Sequence, residues 1–266
     1  MRRMKYLNYL NATWEEFDKA VKESHSLILI PVGCLEEHGP HLPLSTDCII
    51  GEKICEQVAQ ETDIIVGPPI RFGVSRTTQG FPGTLEIRID TLRALTYDIV
   101  YSFASQDVKT IVLFTWHGGV THSSLLREAS IDVLEKIREE RNLPKNLSKD
   151  QLDSLPHIYL LSGVRMFDGK LEEEILSILE TKPYHAAELE TSLMLYIAPD
   201  LVKSEKLRDL REDPEFPEGR IFMRGNPWLQ KGLMGDASKS NAEKGKKIFT
   251  IFVTVLSERI RAYLKE

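Results

Sequence analysis

The chain has 266 residues, 42% of them hydrophobic and 28% charged, with a formal net charge of −6. This is the composition of a soluble globular chain, and an acidic balance without a basic block argues against nucleic acid as the main partner. No apolar stretch reaches membrane-spanning length and no signal-peptide core follows Met1-Arg2-Arg3, so a cytoplasmic protein with one domain over residues 1–266 is expected.

Thr13-Trp14-Glu15-Glu16 reads as a capping box that opens a helix through about Val21. Leu27-Ile28-Leu29-Ile30 is an apolar run of buried-strand type and leads into Pro31-Val-Gly-Cys-Leu-Glu-Glu-His-Gly-Pro-His-Leu-Pro-Leu-Ser-Thr-Asp47. Three prolines and two glycines rule out a regular helix or a long central strand there. The result is an irregular loop at a strand end that carries Glu36, Glu37, His38, His41 and Asp47, a donor set suited to a metal ion.

Ile49, Ile54, Val58 and Ala59 mark an amphipathic helix to about Thr62, followed by a strand at Ile64-Ile65-Val66. The alternation in Leu85-Glu86-Ile87-Arg88-Ile89 predicts a short edge strand, with a helix capped by Asp90 or Thr91 after it. Thr110 to Phe114 is a third core strand that runs into Thr115-Trp116-His117-Gly118-Gly119 and then a long helix whose end, Lys136 to Arg141, is solvated. Residues 142–156 read as a polar surface excursion, and His157 to Leu161 as the fourth strand. A helix over Leu171 to Leu179 and an apolar helix after His185-Ala-Ala-Glu-Leu-Glu-Thr-Ser192 precede a charged, proline-rich segment, 199–227, read as an ordered loop or lid. A final helix follows Gly235-Asp-Ala-Ser238.

Strands alternating with helices imply an α/β fold, three-layer α/β/α with a largely parallel central sheet. Ligands bind such sheets beyond the carboxyl ends of the strands. The Glu36/His38 loop and the His117 loop both leave strands at that end and so converge by topology. Cys34, Cys48 and Cys55 lack metal-type spacing, and Cys34 reads as a packed small side chain in preference to a nucleophilic thiol.

These stretches, with Phe81-Pro-Gly-Thr-Leu85, His117-Gly-Gly119 and Gly235-Asp-Ala-Ser-Lys-Ser-Asn-Ala-Glu-Lys-Gly245, are similar in sequence and order to the creatininase (creatinine amidohydrolase) family. The resemblance implies a centre for one or two divalent metals (Zn, Mn or Fe(II)), with ligands Glu36, His38, Asp47 as bridge, and His117. Creatininase takes its last ligand from a glutamate two residues after the histidine; this chain has Gly119 there, so the resemblance passes that role to Glu188. His185 and Glu190 then resemble proton-handling residues. Thr115, Trp116, Val120, Cys34 and Glu37 depart from the family pattern around the substrate site.

The expected activity is metal-assisted hydrolysis of a C–N bond in a small linear or cyclic amide, creatinine-type or formamide-type. The narrower alternatives are a formamide deformylase of a pyrimidine nucleotide, with Arg71, Arg76 and Arg165 as phosphate contacts, and a peptidase-like maturase. From other classes come a non-catalytic metal-stabilised binding protein, which metal removal would unfold, and a thiol enzyme using Cys34. The resemblance also implies a homo-oligomer, a hexamer among the options.

Overall fold

The computed structural model describes residues 6–23, 26–163, 169–216, 218 and 228–265. Five parallel strands form the central sheet: β1 (Leu7–Asn8), β2 (Leu27–Val32), β3 (Ile65–Val66), β4 (Thr110–Thr115) and β5 (His157–Ser162), in the spatial order β1-β3-β2-β4-β5. The two-residue antiparallel pair β6 (Arg211–Glu212) and β7 (Gly235–Asp236) lies apart from it. The helices are α1 (Trp14–Glu23), α2 (Thr46–Thr62), α3 (Ile89–Ala104), α4 (Val120–Glu140), α5 (Lys149–Asp153), α6 (Gly169–Ile178), α7 (Glu188–Ile197) and α8 (Ala242–Tyr263). No helix among the described residues is long and apolar enough to cross a membrane.

Alternation along the strands divides the core between the two faces. Leu27 and Leu29 of β2 with Val112 and Phe114 of β4 join α2, α6, α7 and α8 in one cluster. Ile28, Ile30 and Val32 with Ile111 and Leu113 join α1, α3 and α4 in the other. This is the expected three-layer arrangement. β2 connects onward to β3 on one side, while β4 connects to β5 on the other, so the order in which strands are added reverses between the parallel neighbours β2 and β4. A crevice opens at such a switch point, beyond the strand ends.

Three local expectations are corrected. Pro31 and Val32 lie inside the central strand, Pro31 in register with Phe114. The Pro31 carbonyl accepts from the Ile70 amide at 2.9 Å, so its missing N–H faces the same side, where β3 has ended and Pro68-Pro69 follow. The proline therefore costs the sheet no ladder bond. Residues 85–88 form no strand: Leu85 donates to the Leu35 carbonyl, no strand of the described residues runs alongside them, and α3 starts at Ile89 with Arg88 as cap. Within the predicted surface excursion, Ser148 and Gln151 form a capping box that opens α5. Farther along, 199–216 is ordered into two short 3-10 turns and β6, and the rest of the predicted lid, apart from Glu218, lies outside the described residues.

Candidate metal centre

Three segments meet in the crevice: the loop after β2, the loop after β4 and the first turn of α7. Glu36, His38, Asp47, His117 and Glu190 are all buried there. Asp47 stands in the first turn of α2, where the helix dipole favours a carboxylate, and its two oxygens face two different histidines. Oδ1 is 3.2 Å from His38 Nε2, and Oδ2 is 3.1 Å from His117 Nδ1. Glu36 Oε1 lies 2.7 Å from His117 Nδ1, and Glu190 Oε2 lies 3.8 Å from His38 Nε2.

The outer nitrogens of both rings are held by backbone. His38 Nδ1 donates to the Glu36 carbonyl at 3.1 Å and His117 Nε2 to the Val74 carbonyl at 3.3 Å. In each neutral ring the inward nitrogen is then the unprotonated one, the tautomer a metal ligand needs. Glu36 Oε2 accepts from Thr78, which is itself paired with Ser75. The Phe81-Pro-Gly-Thr84 turn braces this loop from outside, Thr84 accepting from the Glu37 amide at 3.0 Å.

Electrostatics follow from this packing. Burial opposes charge on every group, yet the neighbouring imidazoles hold Glu36 well below and Asp47 below the ordinary carboxylate range. Burial likewise presses His38 down, but the Asp47, Glu190 and Glu36 carboxylates overcome it and raise the ring to about 10. His117 is raised for the same reason by Glu36 and Asp47. The carboxylates thus attract positive charge to the inward faces of the rings. Asp47 Oδ2 has no hydrogen bond although it is buried. Imidazole nitrogens and carboxylate oxygens, pre-oriented around a buried unsatisfied oxygen, fit one or two divalent cations. Candidate ligand atoms fall into the sets His38/Asp47/Glu190, Glu36/His38/His185 and Cys34/Glu36/His117, each within 4.8 Å. Burial and the charges of Glu36 and Asp47 drive the Cys34 thiol far up, away from thiolate.

Glu188 does not join the cluster. Its carboxylate accepts from the Glu180 and Thr181 amides (2.9 and 2.7 Å to Oε2), from Thr181 Oγ1 at 2.8 Å, and from Lys244 Nζ at 2.5 Å. About half a turn of helix separates Glu188, paired with Lys244, from Glu190, which faces His38. Glu190 points inward instead, Oε1 accepting from Trp116 Nε1 at 3.0 Å and Oε2 from the Ala186 amide at 2.7 Å. Ala186 adopts a left-handed backbone (φ 53°), unusual for a residue with a Cβ, to aim that amide. A Cβ at Gly119 would overlap the His117 ring, so a glutamate at 119 has no room beside this imidazole.

His185 packs on His38, ring centroids 4.4 Å apart, and donates from Nε2 to the Glu37 carbonyl at 3.0 Å with Glu37 Oε1 at 3.3 Å. Of the weaker candidates, His41 is 2.7 Å from Thr191 Oγ1, and His122 accepts from the Val74 amide at 3.3 Å; both act as buried braces. Arg71 is bound in a fork to Glu52, and Arg165 lies outside the described residues. Trp116, Thr78 and Ala186 hold the cluster without any sequence signal beyond Trp116 standing beside His117. Above the cluster a cavity of about 600 Å³ opens, walled by Arg76, Thr121, Tyr184, His185 and Met234 among others.

A model of the creatininase family (creatinine amidohydrolase) matches residues 10–260. The mycofactocin precursor peptide peptidase of Mycolicibacterium smegmatis is 27% identical over 91% of this chain and 88% of its own. Creatinine amidohydrolase of Pseudomonas putida is 26% identical over 94% of each. A solved mutant creatininase of Zn–Zn type superposes with a TM-score of 0.82 at 25% identity, covering 98% of this chain and 100% of that one.

Proposed function

The chain belongs to the creatininase family, and from that membership we propose that it is a metal-dependent amidohydrolase cleaving a C–N bond in a small amide. The observation that carries this reading is the convergence of Glu36, Asp47, His117 and Glu190 on the cavity floor, with His38 buried against Asp47 and each inward ring nitrogen set by a carbonyl on its far side. Glu36, His38, Asp47, His117 and Glu190 would hold one or two divalent cations, Asp47 being the residue whose two oxygens face both histidines. Divalent cations bound there would supply Lewis acidity toward a water and the amide carbonyl. Glu190, held on both oxygens, serves as a ligand in place of Glu188 and gives up the proton-handling role expected of it.

His185 moves the proton. Its Nε2 is committed to Glu37, so Nδ1 takes the proton of the attacking water and returns it to the leaving nitrogen. Burial and the charge of His38 press this ring down, but the Glu37, Glu36 and Glu190 carboxylates raise it on balance, which supports an imidazole able to carry charge. Cys34 packs and takes no part. A homo-oligomer belongs to the same reading.

Elemental analysis of wild type, Asp47→Ala and Cys34→Ser, with turnover of creatinine, formamides, small cyclic amides and short peptides, tests the proposal. One or two metals per chain lost in Asp47→Ala, kept in Cys34→Ser, and hydrolysis of any amide are expected. Metal-free but active wild type would sink it. Peptide cleavage alone would favour a peptidase, the reading that the 27% identical relative supports.

A further inference from the structure

Outside the acidic floor, the cavity wall carries one feature the mechanism does not use. Arg76 is its only lysine or arginine among the described residues, is exposed, and has no hydrogen bond or ion pair there. Its backbone is nevertheless fixed relative to the cluster. On one side Val74 receives His117 Nε2; on the other Thr78 donates to Glu36, and Ser75 and Thr78 close the turn between them at 2.6 Å. A cation held by the same residues that hold the candidate ligands, yet left unpaired, is positioned for something that enters the cavity.

The same wall includes the start of α4, a helix of 21 residues whose cap, Gly119, offers no side-chain acceptor to the first amides. That end carries partial positive charge. Glu172 is the other charged side chain of the wall, and no ion pair joins it to Arg76 among the described residues. With the Glu36, Asp47 and Glu190 charges taken up by bound cations, an anionic group of a substrate would find its complementary charge in the guanidinium on this wall. We propose that Arg76 is a specificity-determining residue, and that the substrate is a small amide carrying an oxyanion, carboxylate or phosphate, tethered to the scissile group. The inference rests on the amidohydrolase reading of the floor. It separates this chain from a protein built for a neutral amide.

The test is calorimetric binding of three inert probes to the metal-loaded protein: acetohydroxamate, the monohydroxamate of succinic acid, and phosphonoacetohydroxamate. Wild type should bind one or both anionic probes at least about tenfold more tightly than the neutral one, through charge-assisted bonds to the guanidinium. R76Q, with metal content and circular dichroism unchanged, should lose that preference while binding acetohydroxamate as before, and R76K should regain part of it. Preference for the carboxylate probe names a carboxylate-bearing amide, preference for the phosphonate a phosphate-bearing one. Equal binding of all three by wild type, binding of none, or a preference that survives in R76Q overturns the proposal. Intact anion preference without turnover of any amide would sink the hydrolase reading and leave the anion subsite standing. Amide turnover without anion preference would do the reverse.

Discussion

Glu188 and Glu190 sit two positions apart at the start of one helix, both buried, and have different work. Glu188 ties α7 to α8 through Lys244 and caps the chain at Glu180 and Thr181. Glu190 faces His38 across the cluster. Glu188→Gln should therefore keep its metal and lose about 3 kcal/mol of stability, because the Lys244 charge loses its buried partner. Glu190→Gln should fold and lose metal, since an amide nitrogen would oppose either the Trp116 or the Ala186 donor. Metal content and urea midpoints on the two variants separate the roles; the opposite pattern would return the ligand to Glu188.

At the scale of elements, the site is built where secondary structure stops. β2 and β4 end side by side, and their last residues pass directly into the ligand loops. α7 must then lie close enough to α8 to be held in place. Gly245 makes this possible: a Cβ there would overlap the Ser192 carbonyl of α7. Gly245→Ala should force the two helices apart and cost about 1–3 kcal/mol, read as a lowered melting temperature. Because α7 carries Glu190, metal affinity should fall with it; an unchanged melting temperature would count against the close crossing.

Across the whole molecule, pH acts through histidines buried as neutral rings. Burial, helped by the charges of His38 and His185, holds His41 down at about 4, and burial with His117 holds His122 at about 3. Both folded values lie below the value of about 6.5 for an unfolded chain. The unfolded state therefore takes up protons first, so stability is full above about 6.5 and falls as pH drops toward 4. Between pH 7 and 5 each ring should account for a loss of about 2 kcal/mol. His41→Gln keeps a donor for Thr191 and removes one titration. Urea midpoints at the two pH values should show a smaller acid loss in this variant than in wild type, and an identical loss would remove His41 from the account.

Periodicity and turn chemistry were enough to read most of this fold in the sequence. The apolar runs of β2, β4 and β5 and the helical spacing of α2, α4 and α8 are local signals, and the order of strands and helices dictates which loops share an end of the sheet. For that reason Glu36, His38, Asp47 and His117 could be brought together before any coordinates. Residues 85–88 misled because alternation was present without a neighbouring strand to pair with, and Pro31 because its missing donor mattered only if the neighbouring strand continued. The choice between Glu188 and Glu190 lay beyond the sequence. Both are carboxylates at a helix start, and what distinguishes them is the rotation of α7 against the sheet and the positions of Lys244, Trp116 and Ala186. Those contacts join residues up to 74 positions apart. Only close packing of the folded chain could decide which carboxylate faced the centre.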